Sequence, residues 1–271
     1  MGEEAVAADP VDPVIRRHRD LEKIANVALR AGRIAMECGA NCRAVREVTA
    51  RVAHGLGAED VALRLGYASL AITVTGGENT ITRMTGVGRL GVDQRRDTAV
   101  RRLAERVREE GSTTDAVQAD LDRLVRESGR HPEWLVDFAT GTACAAFGRL
   151  LGIDWLAFLP VLIAGAAGQA LRHRLLVRGV NLFVVVGVVA FVAATLGGLG
   201  ARLAGSSSVG LAMMASILLL VPGVPATNAQ TDIMDGFPTV GSARAVWVIM
   251  VMVFASAGFW LARALLGGLS A

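Results

Sequence analysis

From about Trp134 to Leu266 the chain is almost continuous apolar sequence, interrupted near its end by Leu220-Val221-Pro222-Gly223-Val224-Pro225-Ala226-Thr227-Asn228. Hydrocarbon offers no partner to a bare N–H or C=O, so a segment of this kind spans a membrane only as helix. Two prolines and a glycine within one apolar span remove donors and crowd the preceding turn, which breaks the helix there. A broken membrane helix lines ligand sites in many transporters.

The charge distribution divides the chain in two. The first 133 residues hold 21 Lys/Arg and 21 Asp/Glu, against 28 and 25 in the whole sequence. A charge-balanced soluble part therefore precedes an embedded one. The pI near 9.1 comes from a few arginines around the apolar helices, and it gives no support to nucleic-acid binding.

In the soluble part, Ile15, Leu21, Ile24, Val27, Ala28, Ala31 and Ile34 recur at helical spacing, predicting a helix from Pro13 to about Cys38. A second runs from about Ala44 to Leu56. The period then changes: Asp60 to Leu65, Ala68 to Thr75 and Thr80 to Met84 are short, rich in Val, Ile and Thr, and separated by glycine-bearing turns. They read as a three-stranded antiparallel meander. Polar helices follow at about Val92 to Glu109 and Thr114 to Glu127. The expected fold class is a polytopic α-helical membrane protein with an amino-terminal cytosolic α+β domain, its helices covering a small antiparallel sheet. Residues 1–12 read as a disordered leader, residues 13–131 as the cytosolic domain and residues 132–271 as the membrane domain. The acidic start lacks both a basic region and an apolar core, so no cleavable signal peptide is expected.

Judged against roughly 20 residues per crossing, the membrane domain divides into five spans, at about 134–151, 155–171, 181–203, 208–227 and 243–266. The first two are rich in Ala and Gly, which lets helices approach closely inside a bundle. Arg172, His173, Arg174 and Arg178 make the second link cationic, whereas the first is only Gly152-Ile153-Asp154. The positive-inside rule then puts the amino terminus in the cytoplasm and the carboxyl terminus outside the cytoplasmic membrane. Five spans with one broken segment make half of an inverted-repeat transporter, so a second membrane subunit, or a homo-oligomer, is expected to complete it.

At the break, Thr227, Asn228 and the backbone around Pro222, Gly223 and Pro225 form the candidate substrate site, since proline leaves carbonyl acceptors without their usual donor. Asp232 and Asp235, just past the span, and Asp137, inside span one, are the candidate proton-coupling groups. Neutralising Asp232 is expected to stop transport without unfolding the protein. Asp137 and Arg149 lie twelve residues apart, roughly 18 Å along a helix, so they do not pair within one span, and Arg149 is expected to snorkel outward. Cys38, Cys42 and Cys144 have no metal-ligand spacing and read as buried thiols, and the four histidines read as surface or helix-end residues. No cofactor or metal is implied. Ser69, Thr73 and His54 show no triad spacing, so an enzyme is not expected. A membrane-anchored sensor or scaffold is the alternative of another class, although an anchor needs neither five spans nor a break.

Several stretches together resemble the amino-terminal half of the threonine/serine exporter family. They are Ala31-Gly32-Arg33, Glu37 to Ala40, Arg43 to Val48, Thr82-Arg83-Met84, Pro132 to Leu135, Arg178 to Asn181, and Leu220 to Asn228 followed by Asp232 and Gly236. The PGxxxTN-x3-D stretch after four spans is the most specific of these. The resemblance implies secondary transport of small polar metabolites, threonine and serine or, in two-chain forms, dicarboxylates such as succinate, with a small second membrane subunit. Asp137 departs from the family's pattern, which carries an apolar residue there.

Overall fold

A computed structural model describes residues 13–127, 129 and 131–268; the expected leader, residues 1–12, lies outside the described residues. The order is α1 (Pro13–Glu37), α2 (Cys42–Gly55), β1 (Asp60–Leu65), β2 (Ser69–Gly76), β3 (Asn79–Gly86), α3 (Gln94–Glu110), α4 (Thr114–Glu127), α5 (Glu133–Leu151), α6 (Trp155–Val177), α7 (Leu182–Leu203), α8 (Val209–Ser216), a 3-10 turn at Leu218–Leu220, α9 (Gly223–Met234) and α10 (Pro238–Gly268). Two compact units emerge. Residues 13–129 with Thr227–Arg244 form one, and residues 131–226 with 245–268 form the other. The sequence placed all of 132–271 in one membrane domain; the structure gathers Thr227–Arg244 with the amino-terminal residues.

In the first unit the three strands pair antiparallel in the order β1-β2-β3, with Leu63 opposite Ile72 and Val74 opposite Ile81. Alternation along β2 turns Leu70, Ile72 and Val74 inward, all buried, and α1 packs over β2 and β3. The other face carries Thr73 and Thr82, whose hydroxyls lie 2.9 Å apart. Strand pairs of this kind fix register as well as stability. Between α1 and α2 the chain reverses through Gly39 at φ +92°. A Cβ at Gly39 would stand 2.6 Å from the carbonyl oxygen of Gly91, so both backbone sterics and space demand glycine. Asn41 caps α2 by accepting from the N–H of Ala44 at 2.9 Å.

In the second unit α5 and α6 form a hairpin around Gly152 (φ +100°), Ile153 and Asp154. Their contact is backbone-close: a Cβ at Gly141 would stand 2.3 Å from the Leu162 carbonyl oxygen, the approach that small residues permit. Asp154 caps α6, accepting from Ala157 N–H, and also accepts from the Ser206 hydroxyl at 2.8 Å and Ser207 N–H at 2.9 Å. Burial pushes its carboxyl up, but these bonds together outweigh it and bring the pKa down to about 2. Helices α6, α7 and α10 are long and apolar enough to cross a membrane. Val209–Leu220 with Gly223–Met234 make a fourth if the pair counts as one span bent by 63°. Helix α5, which carries Asp137 and Arg149, is not among them. Arg149 does not extend freely: its guanidinium lies 4.5 Å from the Trp155 ring centroid and donates to the Ile153 carbonyl.

Candidate functional site

At the break the backbone repairs most of what proline removes. Pro222 has no N–H to return to Leu218, and the N–H of Val221 donates to that carbonyl at 3.1 Å. Pro225 likewise returns nothing to Val221, whose carbonyl accepts from Gly223 N–H at 2.9 Å, while the Pro222 carbonyl accepts from Ala226 N–H at 3.0 Å. Thus the expected orphan carbonyls at Leu218, Val221 and Pro222 each hold a donor. Helix resumes at Gly223, so Thr227 and Asn228 stand inside α9 rather than in unwound chain. The positive end of the α9 dipole is at the break. Thr227 is exposed and Asn228 half-buried.

The second half of α9 is bound to the α1–α2 turn within the first unit. Asn228 Nδ2 donates to the Gly39 carbonyl at 2.7 Å, and Cys42 N–H donates to Asp232 Oδ1 at 2.7 Å. Arg244, on α10, donates to the Ala40 carbonyl at 3.1 Å, and its Nη1 lies 2.8 Å from Asp232 Oδ2, close but not aligned as a hydrogen bond. Asp232 is 0% exposed and Arg244 4%. Isolated ions in such a place cost several kcal/mol each, so each requires the other. Asp235 is paired with Arg43 at 2.6 Å. The acids proposed for proton coupling at this end are therefore both engaged by arginine. Burial raises the thiol of Cys42 to about 12, reinforced by the Asp232 carboxylate, and burial raises Cys38 to about 11, which makes both poor nucleophiles at neutral pH.

Asp137, the third proposed acid, lies in the second unit. There His173 Nδ1 lies 3.2 Å from Asp137 Oδ1, and His173 Nε2 lies 3.0 Å from Gln169 Nε2. His173 was expected to be an ordinary helix-end residue; it is instead the centre of a three-residue polar string. The hairpin carries the available clue: Asp137 and His173 stand on its two arms, 15 residues before and 19 residues after the Gly152–Asp154 turn, and so within about one helical turn of the same level. Likewise Asp232 and Arg244 flank the Gly236–Pro238 turn between α9 and α10. Among the described residues no cluster of three or more His, Cys, Asp or Glu could hold a metal ion.

A protein-family profile described as "Putative threonine/serine exporter" matches residues 26–266. The chain is 28% identical over 215 residues to "Probable succinate transporter subunit YjjP" of Klebsiella aerogenes, covering 79% of this chain and 82% of that protein. It is 26% identical over 227 residues to the Escherichia coli K12 protein of the same name, covering 83% and 87%. No solved structure matches it.

Proposed function

This chain belongs to the threonine/serine exporter family, and from that premise we propose that it is one subunit of a secondary transporter that exports a small carboxylate-bearing metabolite across the cytoplasmic membrane. It is a multi-pass membrane protein of a transporter family. The family match across residues 26–266 carries the reading. Threonine and serine are the first substrates to test, following the family's name. Succinate is the second, because both relatives are named as succinate transporter subunits. The word subunit in those names also supports a second membrane protein as partner. A homo-oligomer is the other way to complete the path.

In this reading α5 joins α6, α7, the bent α8–α9 segment and α10 as a fifth crossing. The amino terminus is cytoplasmic and the carboxyl terminus outside, as the arginines of the α6–α7 link favour. The break around Pro222, Gly223 and Pro225, with Thr227 and Asn228 of α9, holds the substrate, its carboxylate favoured by the positive helix end. Transport is coupled to the proton gradient. Among Asp137, Asp232 and Asp235, we assign coupling to Asp137, because the other two are held by arginine and serve to position α9.

The test is counterflow of labelled threonine, serine and succinate in proteoliposomes containing this chain, alone and with a small membrane protein encoded beside it. Uptake by the pair, absent with either protein singly, is the expected result, and the accumulated label identifies the substrate. Uptake by the chain alone would remove the partner from the proposal. No uptake in any arm would remove the transport assignment for these substrates.

A further inference from the structure

We propose that His173 is the proton-binding group of this transporter, held between Asp137 and Gln169, with Gln169 the residue whose orientation reports whether the proton is bound. The proposal rests on the transporter reading above and refines its coupling step, placing the proton on His173 while Asp137, its neighbour, supplies the balancing charge. Asp137 and His173 stand on the two arms of the α5–α6 hairpin, 3.2 Å apart, and Gln169 is one helical turn before His173, 3.0 Å from its other ring nitrogen. Gln169 is 8% exposed, so its amide answers to the ring rather than to water. Asp137 Oδ1 and His173 Nδ1 are each buried and unaligned for a hydrogen bond, which leaves a contact that a small ring rotation makes or breaks.

The two protonation states require different hydrogen bonds. An ionised carboxylate only accepts, so the neutral ring keeps its hydrogen on Nδ1, facing Asp137, and offers a bare Nε2 to a donor. The Gln169 amide nitrogen supplies that donor. When the ring takes up a proton, it binds at Nε2, and both nitrogens become donors. Gln169 must then turn its carbonyl oxygen to Nε2, while Asp137 balances the new positive charge. The proton arrives from one aqueous side, binds at Nε2 and is released to the other as the transporter changes state; no other bond changes. Among the described residues the helices of this unit carry few other charges. Arg172 and Arg174 neighbour the ring on α6, Arg178 follows that helix, and Glu133 and Arg149 stand in the first and last turns of α5. The charge on α7 is Arg202, in its last turn; α8 carries none, and residues 245–268 of α10 carry Arg263 alone.

A plain helix tether would show the same contacts, so the test must read protonation. The direct measurement is nitrogen NMR of the full chain with labelled histidine in nanodiscs, the His173 signal being identified by its loss in His173→Asn. Expected are the Nδ1–H tautomer at high pH and a protonated ring at low pH within about pH 5 to 8. A ring with its hydrogen on Nε2, or one that never changes over that range, overturns the proposal. This readout needs no substrate, so it fails separately from the transport assignment. With a transported substrate in hand, the wild-type rate should change about tenfold across that range and the His173→Asn rate less than about twofold. Gln169→Leu should slow transport while leaving a pH transition. A His173→Asn protein with the wild-type profile overturns the proposal.

Discussion

The two units bury opposite kinds of residue. The amino-terminal unit hides its large side chains, among them Met36, Leu70, Ile72 and Leu121, each at most 1% exposed. The helical unit hides mainly small ones, such as Ala145, Ala157, Ala190 and Ala212, and turns Leu150, Trp155, Leu203 and Trp260 outward at 64–80% exposure. In water, burying a Leu or Ile side chain stabilises by about 1.5–3 kcal/mol, so large residues belong inside. In lipid that gain vanishes, and close backbone approach takes its place. Each unit is built for a different solvent, and the same difference separates their charged pairs. Asp232 and Arg244 are sealed and cross-linked to the α1–α2 turn, whereas Asp137 and His173 remain 18% and 30% exposed. The first pair suits a fixed joint and the second a group that exchanges a proton.

The most disruptive test of that contrast removes one member of the sealed pair. Asp232→Ala or Arg244→Ala should each cost about 3–5 kcal/mol, because the remaining ion stays buried without a partner. Thermal unfolding of the detergent-solubilised chain measures it, and joint replacement by Leu and Met should recover much of the loss. Wild-type melting in both single variants would mean that Asp232 is not the joint described. This departs from the expectation that Asp232→Ala leaves the fold intact.

A smaller effect, about 1–3 kcal/mol, is expected where the helical unit relies on small residues. A Cβ at Gly258 of α10 would stand 2.2 Å from the Gly187 carbonyl oxygen of α7, so Gly258→Val should lower the melting temperature. Unchanged melting would show that α7 and α10 separate without cost. Least at neutral pH is the effect of acid on Asp154. Its folded pKa, about 2, lies below the ordinary 3.8. Its contribution is therefore complete above about pH 4 and is lost as pH falls towards 2. The difference in melting temperature between wild type and Asp154→Asn should shrink across that window. A constant difference would mean that the serine bonds do not depend on its charge.

Much of the architecture was legible from periodicity. The three strands and the helices of the first unit fall within a few residues of where hydrophobic spacing put them, and the apolar helices of the second start close to the expected places, although α6 runs past 171 to Val177 and α9 past 227 to Met234. Strands and helices leave those marks because each buries one face. The break at Pro222 was legible too, since proline lacks its N–H whatever the tertiary context. Its consequence was not: local turns supply the missing donors, and helix resumes through Thr227 and Asn228. Nor did spacing within one helix find His173, because its partner Asp137 is on another arm of the hairpin.

By itself, then, the sequence determined that the chain has a water-adapted part and a lipid-adapted part, where the helix breaks, and which family it resembles. Those properties follow from composition, local period and backbone covalency, which act within a few residues. The tertiary structure decided which charges meet. It joined Asp232 to Arg244 and the turn at Gly39–Cys42, grouped Thr227–Arg244 with the amino-terminal unit, and set His173 between Asp137 and Gln169. The energy of a charge is fixed by its neighbours in space and by the water they exclude, and the packing of whole helices selects both.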